Sequence, residues 1–115
     1  MPKDRIRRVN EAVREVLSEA ITTELKDPRV GFVTVTAVET SPDLRHARVF
    51  VSVLGSDKQR EESLAGLSSS HGYLQSRVAS QLRLKHTPTL DFQYDPSVER
   101  VIRISELLRE EGSNA

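Results

Sequence analysis

The sequence predicts an α+β domain with a three-stranded sheet and helices packed on one face. Three features carry that prediction. The chain opens with a long segment of three- and four-residue apolar spacing. Runs of alternating apolar and polar residues follow at 32–39, 45–53 and 89–94. Between the second and third runs lies a helical stretch broken near Gly72. Period 3.6 marks a helix and period 2 a half-buried strand, and helices with strands in this order bury one shared core. The 115 residues amount to one ordinary domain.

Each element has its own signal. Ile6, Val9, Val13, Val16, Leu17, Ala20, Ile21 and Leu25 form one stripe of a helix from about Asp4 to Leu25, which Asp27-Pro28 ends. Phe32 to Glu39 is β-branched and alternating, Ser41-Pro42-Asp43 is turn chemistry, and Arg45 to Val53 alternates again. These make a β-hairpin with Ala47, Val49, Val51 and Val53 on one side. Ser56 and Gln59 have capping-box spacing. The helix they open looks weak, with Leu64 and Leu67 as anchors, Gly66 inside it and fraying serines at 68–70. It is expected to be the most mobile regular element.

Gly72 then stands as a kink before a second helix, whose stripe is Leu74, Val78 and Leu82. Thr87-Pro88 breaks that helix, because proline lacks an N–H and biases its predecessor toward extended geometry. Leu90, Phe92 and Tyr94 form the buried side of a third strand. Asp95-Pro96 starts a last helix that buries Val98, Val101 and Ile102, with Ser105 and Leu108 at its margin. Phe32, Phe92 and Tyr94 read as core. The order is α-β-β-α-kink-α-β-α, with a domain over 1–110 and a flexible tail over 111–115.

Composition removes several function classes. With no cysteine there is no disulfide framework and no thiolate site, which fits a reducing, intracellular setting. The N-terminus lacks the apolar segment of a secretory signal, and no run is long enough to span a membrane. His46, His71 and His86 have no histidine partner at helical spacing, so no metal pair is read. Asp95 is explained as a cap, and Asp57, Glu61 and Glu62 as a solvated face. Neither a Walker loop nor a dinucleotide fingerprint is present. An enzyme is not expected, and no cofactor is called for. No apolar interface stands out, so a monomer is expected.

Net charge is zero, 17 bases against 17 acids, but the charges are segregated. Lys3, Arg5, Arg7 and Arg8 make the N-terminal end basic, whereas Glu11 to Asp27 and the end of the chain lean acidic. From Ser68 to Leu90 there is no acid at all. That window holds Ser70, His71, Gly72, Tyr73, Gln75, Arg77, Arg83, Lys85 and His86. A glycine turn admits a nucleic-acid backbone closely, and the N–H groups of the helix behind it favour phosphate. Helix–glycine–helix beside a three-stranded sheet is the layout of a KH module, which clamps single-stranded RNA. The same residues also fit a plain helix C-cap with a solvated basic face, and spacing does not separate the two. Arg77 is the leading contact, since arginine suits phosphate forks and base stacking. Tyr73, beside Gly72 in a polar setting, is the aromatic expected to meet RNA. Arg45 and Arg48 add two further bases near the hairpin.

Three blocks carry a family resemblance: RIRRVNEAVREVLSEAI, ELKDPRVGFVTVTAVETSPDLRHARVFVSVLG and LRLKHTPTLDFQYDPS. Together they resemble ribosome-binding factor A over Arg5 to about Leu108. The resemblance implies a KH-like fold of the second topological type, α-β-β-α-α-β, without a GxxG loop. Instead the family has an Ala-x-Gly kink, which here is Ser70-His71-Gly72. Ser70 in place of alanine is expected to cap the second helix. The resemblance further implies a non-catalytic, cytoplasmic assembly factor of the 30S subunit. Its partners would be precursor 16S rRNA in immature subunits and an assembly GTPase that drives its release. Its roles would be maturation of the rRNA 5′ end and cold adaptation. An alternative reading is a protein-interaction adaptor on the same layout, docking through the acidic first helix or the apolar hairpin edge. A steep loss of binding with salt would mark the RNA reading.

Overall fold

The computed structural model describes residues 2–97 and 103–109. Helix α1 runs Pro2–Glu19 and widens into a π turn over Ala20–Glu24. Strands β1 (Phe32–Thr40) and β2 (His46–Leu54) form the hairpin. Helices α2 (Asp57–Ser69) and α3 (His71–Leu82) precede β3 (Thr89–Tyr94), and a last helical segment, α4, covers 103–109. The strand order is β1-β2-β3, with β1 antiparallel to β2 and β2 parallel to β3. This is the α+β arrangement expected, with the KH-like order α-β-β-α-α-β.

Apolar periodicity sets the packing. Ala47, Val49 and Val51 line the inner face of the central strand and are fully buried. They meet the stripe of α1 (Val9, Val13, Leu17, Ile21), Leu74 and Val78 of α3, and Leu67 of α2 in one core. Strand β1 is bulged partway along this core. Its register passes from Val35↔Val51 to Ala37↔Phe50, which leaves Thr36 as the extra residue. The inward set therefore changes phase, and Val35 is followed by Val38 and Thr40 as buried residues. Thr36 Oγ1 lies 2.7 Å from Asp95 Oδ2 and ties the bulge to the end of β3.

The expected capping box is present: Ser56 Oγ accepts from the Gln59 N–H and Gln59 Oε1 from the Ser56 N–H. Helix α2 runs unbroken to Ser69, past the point of expected fraying. Gly66 is a close approach within it, since a Cβ there would lie 2.6 Å from Val30 Cγ2. Ser63 and Ser69 hold the same 27–31 loop, through Gly31 N–H to Ser63 Oγ at 3.1 Å and Arg29 Nη2 to Ser69 Oγ at 3.0 Å.

Four expectations are corrected. The break between α2 and α3 falls at Ser70 (φ −92°, ψ 8°), and Gly72 is an ordinary residue in the first turn of α3. Ser70 occupies the N-cap position, but its side chain makes no capping bond. Its N–H reaches back to Gly66 and Leu67 while its carbonyl accepts from Leu74, so the chain bends with few bonds broken. Phe32 is 79% exposed rather than core, because it sits on the outer side at the end of the ladder, opposite exposed Leu54. Ser105 and Leu108 are exposed in α4, and Val98, Val101 and Ile102 lie outside the described residues. The tail at 111–115 also lies outside them.

Candidate nucleic-acid interface

Helix packing decides which basic groups meet. Glu24, at the end of α1, contacts Tyr73 and Arg77 at the start of α3. The two helices thus run antiparallel, and the first turns of α1 lie beyond the C-terminal end of α3. There Arg5 of α1 shares a cleft with Lys85 and His86 of the α3–β3 loop. Pro42, Asp43 and Leu44 of the hairpin loop close the cleft, whose volume is about 280 Å³. The Thr89 N–H donates to the Arg45 carbonyl at 2.8 Å, which fastens the start of β3 to the hairpin. Arg83 ends α3 in the left-handed conformation, φ 48°.

Arg5, Arg7, Arg8, Arg45, Arg83, Lys85 and His86 are all exposed. Arg7 lies 3.9 Å from Asp4, a loose surface pair. Arg5, Arg8, Arg83 and Lys85 have no ion-pair partner among the described residues. The N-terminal end of α1 adds its partial positive charge to this end of the molecule. Lys3 belongs to the same turn, and its side chain lies outside the described part. Three segments far apart in sequence thus converge as one basic end.

The residues around the α2–α3 break are placed differently. Gly72 is exposed, with open space where a Cβ would stand. Tyr73 is half-exposed and its hydroxyl donates to Glu24 Oε1. Arg77 Nε lies 2.8 Å from the same oxygen, and its Nη2 donates to Oε2 at 3.2 Å. The Tyr73 hydrogen bond, followed by that of Arg77, holds the Glu24 carboxyl below its ordinary range. Glu24 in turn raises both the Tyr73 hydroxyl and the Arg77 guanidinium. The acid missing from the window 68–90 is thus supplied to Arg77 by the π turn of α1.

His71 and Gln75 also turn inward. His71 Nε2 lies 2.8 Å from the Leu90 carbonyl, which can only accept, so that nitrogen carries the hydrogen. Its ring stands edge-on to Phe92, centroids 6.3 Å apart. Gln75 donates to the Pro88 carbonyl at 2.6 Å and accepts from the Leu90 N–H at 3.0 Å. Together they join α3 to the outer edge of β3. Arg48 lies on the outer sheet face, in register with Glu39 and Asp91 and 3.8 Å from the Glu39 carboxylate. Arg48 is therefore paired on the outer sheet face and does not line the cleft.

Sequence reasoning named Arg5, Lys85 and His86 but missed that they share a cleft with Asp43, Leu44 and Leu84. Two apolar residues and an acid in loops carry no periodic signal. The left-handed Leu44 (φ 61°) was equally invisible, since leucine does not favour that conformation. Among the described residues no helix is long and apolar enough to cross a membrane. No group of three His, Cys, Asp or Glu among them is placed to hold a metal.

Comparison with known proteins gives a consistent result. The family model for ribosome-binding factor A matches residues 5–108. Ribosome-binding factor A of Halothermothrix orenii is 45% identical over 109 residues, covering 95% of this chain and 89% of the relative. That of Brevibacillus brevis is 47% identical over 110 residues, covering 96% and 91%. The solution structure of a Thermotoga maritima protein described as a putative ribosome binding factor A superposes with a TM-score of 0.70 at 35% identity, over 77% of this chain and 85% of that one. A homology model of the Thermus thermophilus factor, fitted into a cryo-EM map of a 30S–RbfA complex, superposes with a TM-score of 0.63 at 29% identity, over 76% and 91%. With a family model spanning nearly the whole chain and full-length relatives at this identity, the chain belongs to the ribosome-binding factor A family.

Proposed function

We propose that this protein is a non-catalytic assembly factor of the small ribosomal subunit, which binds the 30S particle through its basic end. The convergence of Arg5, Lys85 and His86 on one cleft closed by the hairpin loop is the observation that carries this reading. Phosphate-rich RNA is the partner that such a surface fits, and neutralised phosphates release counterions on binding. The 30S complex of the Thermus thermophilus relative supports the choice of particle. Within this reading the protein acts as a monomer in the cytoplasm on precursor 16S rRNA. It favours immature subunits, assists maturation of the rRNA 5′ end and growth in the cold, and leaves with the help of an assembly GTPase. His71, Gln75 and Arg77 serve the α3–β3 joint and the α1–α3 contact, which hold the basic end in shape. Ser70, Gly72 and Tyr73 border the other end of α3.

Co-sedimentation with immature and mature small subunits, at low and moderate salt, tests the proposal. Preferential, salt-sensitive association with immature particles is expected, weakened by Arg5→Ala with Lys85→Ala. Absence of association from a folded sample would overturn it. One observation favours the adaptor reading: Phe32 and Leu54 face each other in register, 79% and 65% exposed, at the end of the hairpin. Salt-insensitive association that disappears on Phe32→Ser would support docking to a protein there.

A further inference from the structure

Within the basic end, the cleft between the first turn of α1, the hairpin loop and the α3–β3 loop has the chemistry of a site for a single nucleotide. At about 280 Å³ it is at the lower limit of small-ligand pockets, too small for a duplex. Arg5 and Lys85 bring two positive charges to it. Pro42, Leu44 and Leu84 supply apolar wall, and His86 a planar ring. RNA-binding sites commonly pair such surfaces with an unstacked base while cations hold the flanking phosphates.

Asp43 narrows the class of base. Its Oδ1 accepts from Ser41 Oγ at 2.6 Å and from the Arg45 N–H at 3.1 Å. Its Oδ2 accepts no hydrogen bond from the described residues. The Ser41 hydroxyl, then the Arg45 N–H, hold this carboxyl below its ordinary range, so it stays ionised and can only accept. The base that suits it best turns N–H donors, and no acceptor, toward Oδ2. Guanine does so at N1 and its 2-amino group. Adenine and cytosine set one amino group beside a ring acceptor, and uracil sets its N–H between two carbonyls.

The backbone around the cleft is also unusual. Leu44 (φ 61°) and Arg83 (φ 48°) are the non-glycine residues at positive φ among those described. Leu44 lines the cleft, and Arg83 directly precedes Leu84. Left-handed geometry is unfavourable for residues with a Cβ and persists where the surroundings impose it, often at binding sites. Here the hairpin loop is fixed by Leu44 N–H to the Ser41 carbonyl and Ser41 N–H to the His46 carbonyl, each at 2.8 Å. We infer that this cleft holds one unpaired guanine nucleotide of the bound RNA, read by Asp43. The inference rests on the RNA-binding reading above and adds a base preference to it.

Fluorescence anisotropy with the full chain and labelled pentaribonucleotides tests it. The probes are pentauridylate and the same strand with guanine, inosine or adenine at its centre. The guanine strand should bind about tenfold more tightly than the inosine strand, which lacks the 2-amino donor to a charged acceptor. Asp43→Asn retains the Oδ1 acceptor for Ser41 and Arg45 and should abolish that preference without raising the affinity for uridine alike. A melting curve establishes that the variant is folded. Equal binding of all four strands would overturn the guanine site while leaving salt-sensitive subunit binding intact. So would a uniform gain by Asp43→Asn, which would make Asp43 only a repulsive charge. Failure of every pentamer, with subunits still bound, would also overturn it. Failure to bind subunits would strike at the proposed function itself.

Discussion

Gly66 and Gly72 sit in neighbouring helices and meet opposite surroundings. A Cβ on Gly66 would press to 2.6 Å from Val30 Cγ2, and valine has a stiff, branched side chain. Gly66→Ala should therefore cost about 1–3 kcal/mol of stability, the usual range for overpacking. A Cβ on Gly72 meets nothing within 4 Å, and its backbone is helical. Gly72→Ala should leave stability unchanged or raise it by up to about 1 kcal/mol. Urea denaturation of both variants checks the pair. The same loop carries a pH signature. Hydrogen bonds from the Arg29 side chain, then its N–H, lower the Asp27 carboxyl from an ordinary 3.8 to about 2. A depressed acid stabilises the fold above its unfolded value and loses that contribution as pH falls through the folded one. Asp27→Asn should thus flatten the loss of melting temperature between pH 3.8 and about 2. An unchanged acid slope would deny Asp27 this role.

At the level of elements, the joints carry information that the elements themselves do not. Apolar spacing located α1, the hairpin, α3 and β3, because each buries one face and that face repeats with the local period. The break between α2 and α3 is also legible, but the sequence points to Gly72, whereas the chain turns at Ser70. Glycine signals freedom to turn, whereas a bend within the allowed region needs no glycine. The bulge at Thr36 was hidden for a similar reason, since valine and threonine fit either phase of a strand. The joint of α3 with β3 depends on Gln75, which satisfies both the Pro88 carbonyl and the Leu90 N–H. Gln75→Ala would leave the N–H of buried Leu90 without its partner and should cost about 1–3 kcal/mol, measured by thermal or urea melting. Retained stability would mean that another group takes over the amide.

Over the whole molecule, charge is sorted by folding rather than by composition. Arg5 and Lys85 line one cleft because α1 and α3 run antiparallel, while Arg77 is taken up by Glu24 at the other end. Binding of subunits should therefore be governed by the basic end. Replacing Arg5 and Lys85 by alanine should lower the slope of log affinity against log salt by about 0.7–0.9 for each phosphate that is no longer neutralised. Titration at several salt concentrations gives that slope, and an unchanged slope would place the RNA elsewhere. The sequence by itself determined the α+β class, the order and faces of the elements, and membership of the family, because these follow from local periodicity and uninterrupted blocks of residues. It also marked the basic residues as a set. Only the tertiary structure decided which of them lie together. Glu24 reaches Arg77 across 53 positions, and Arg5 comes to line one cleft with Lys85, through helix packing that no local period encodes.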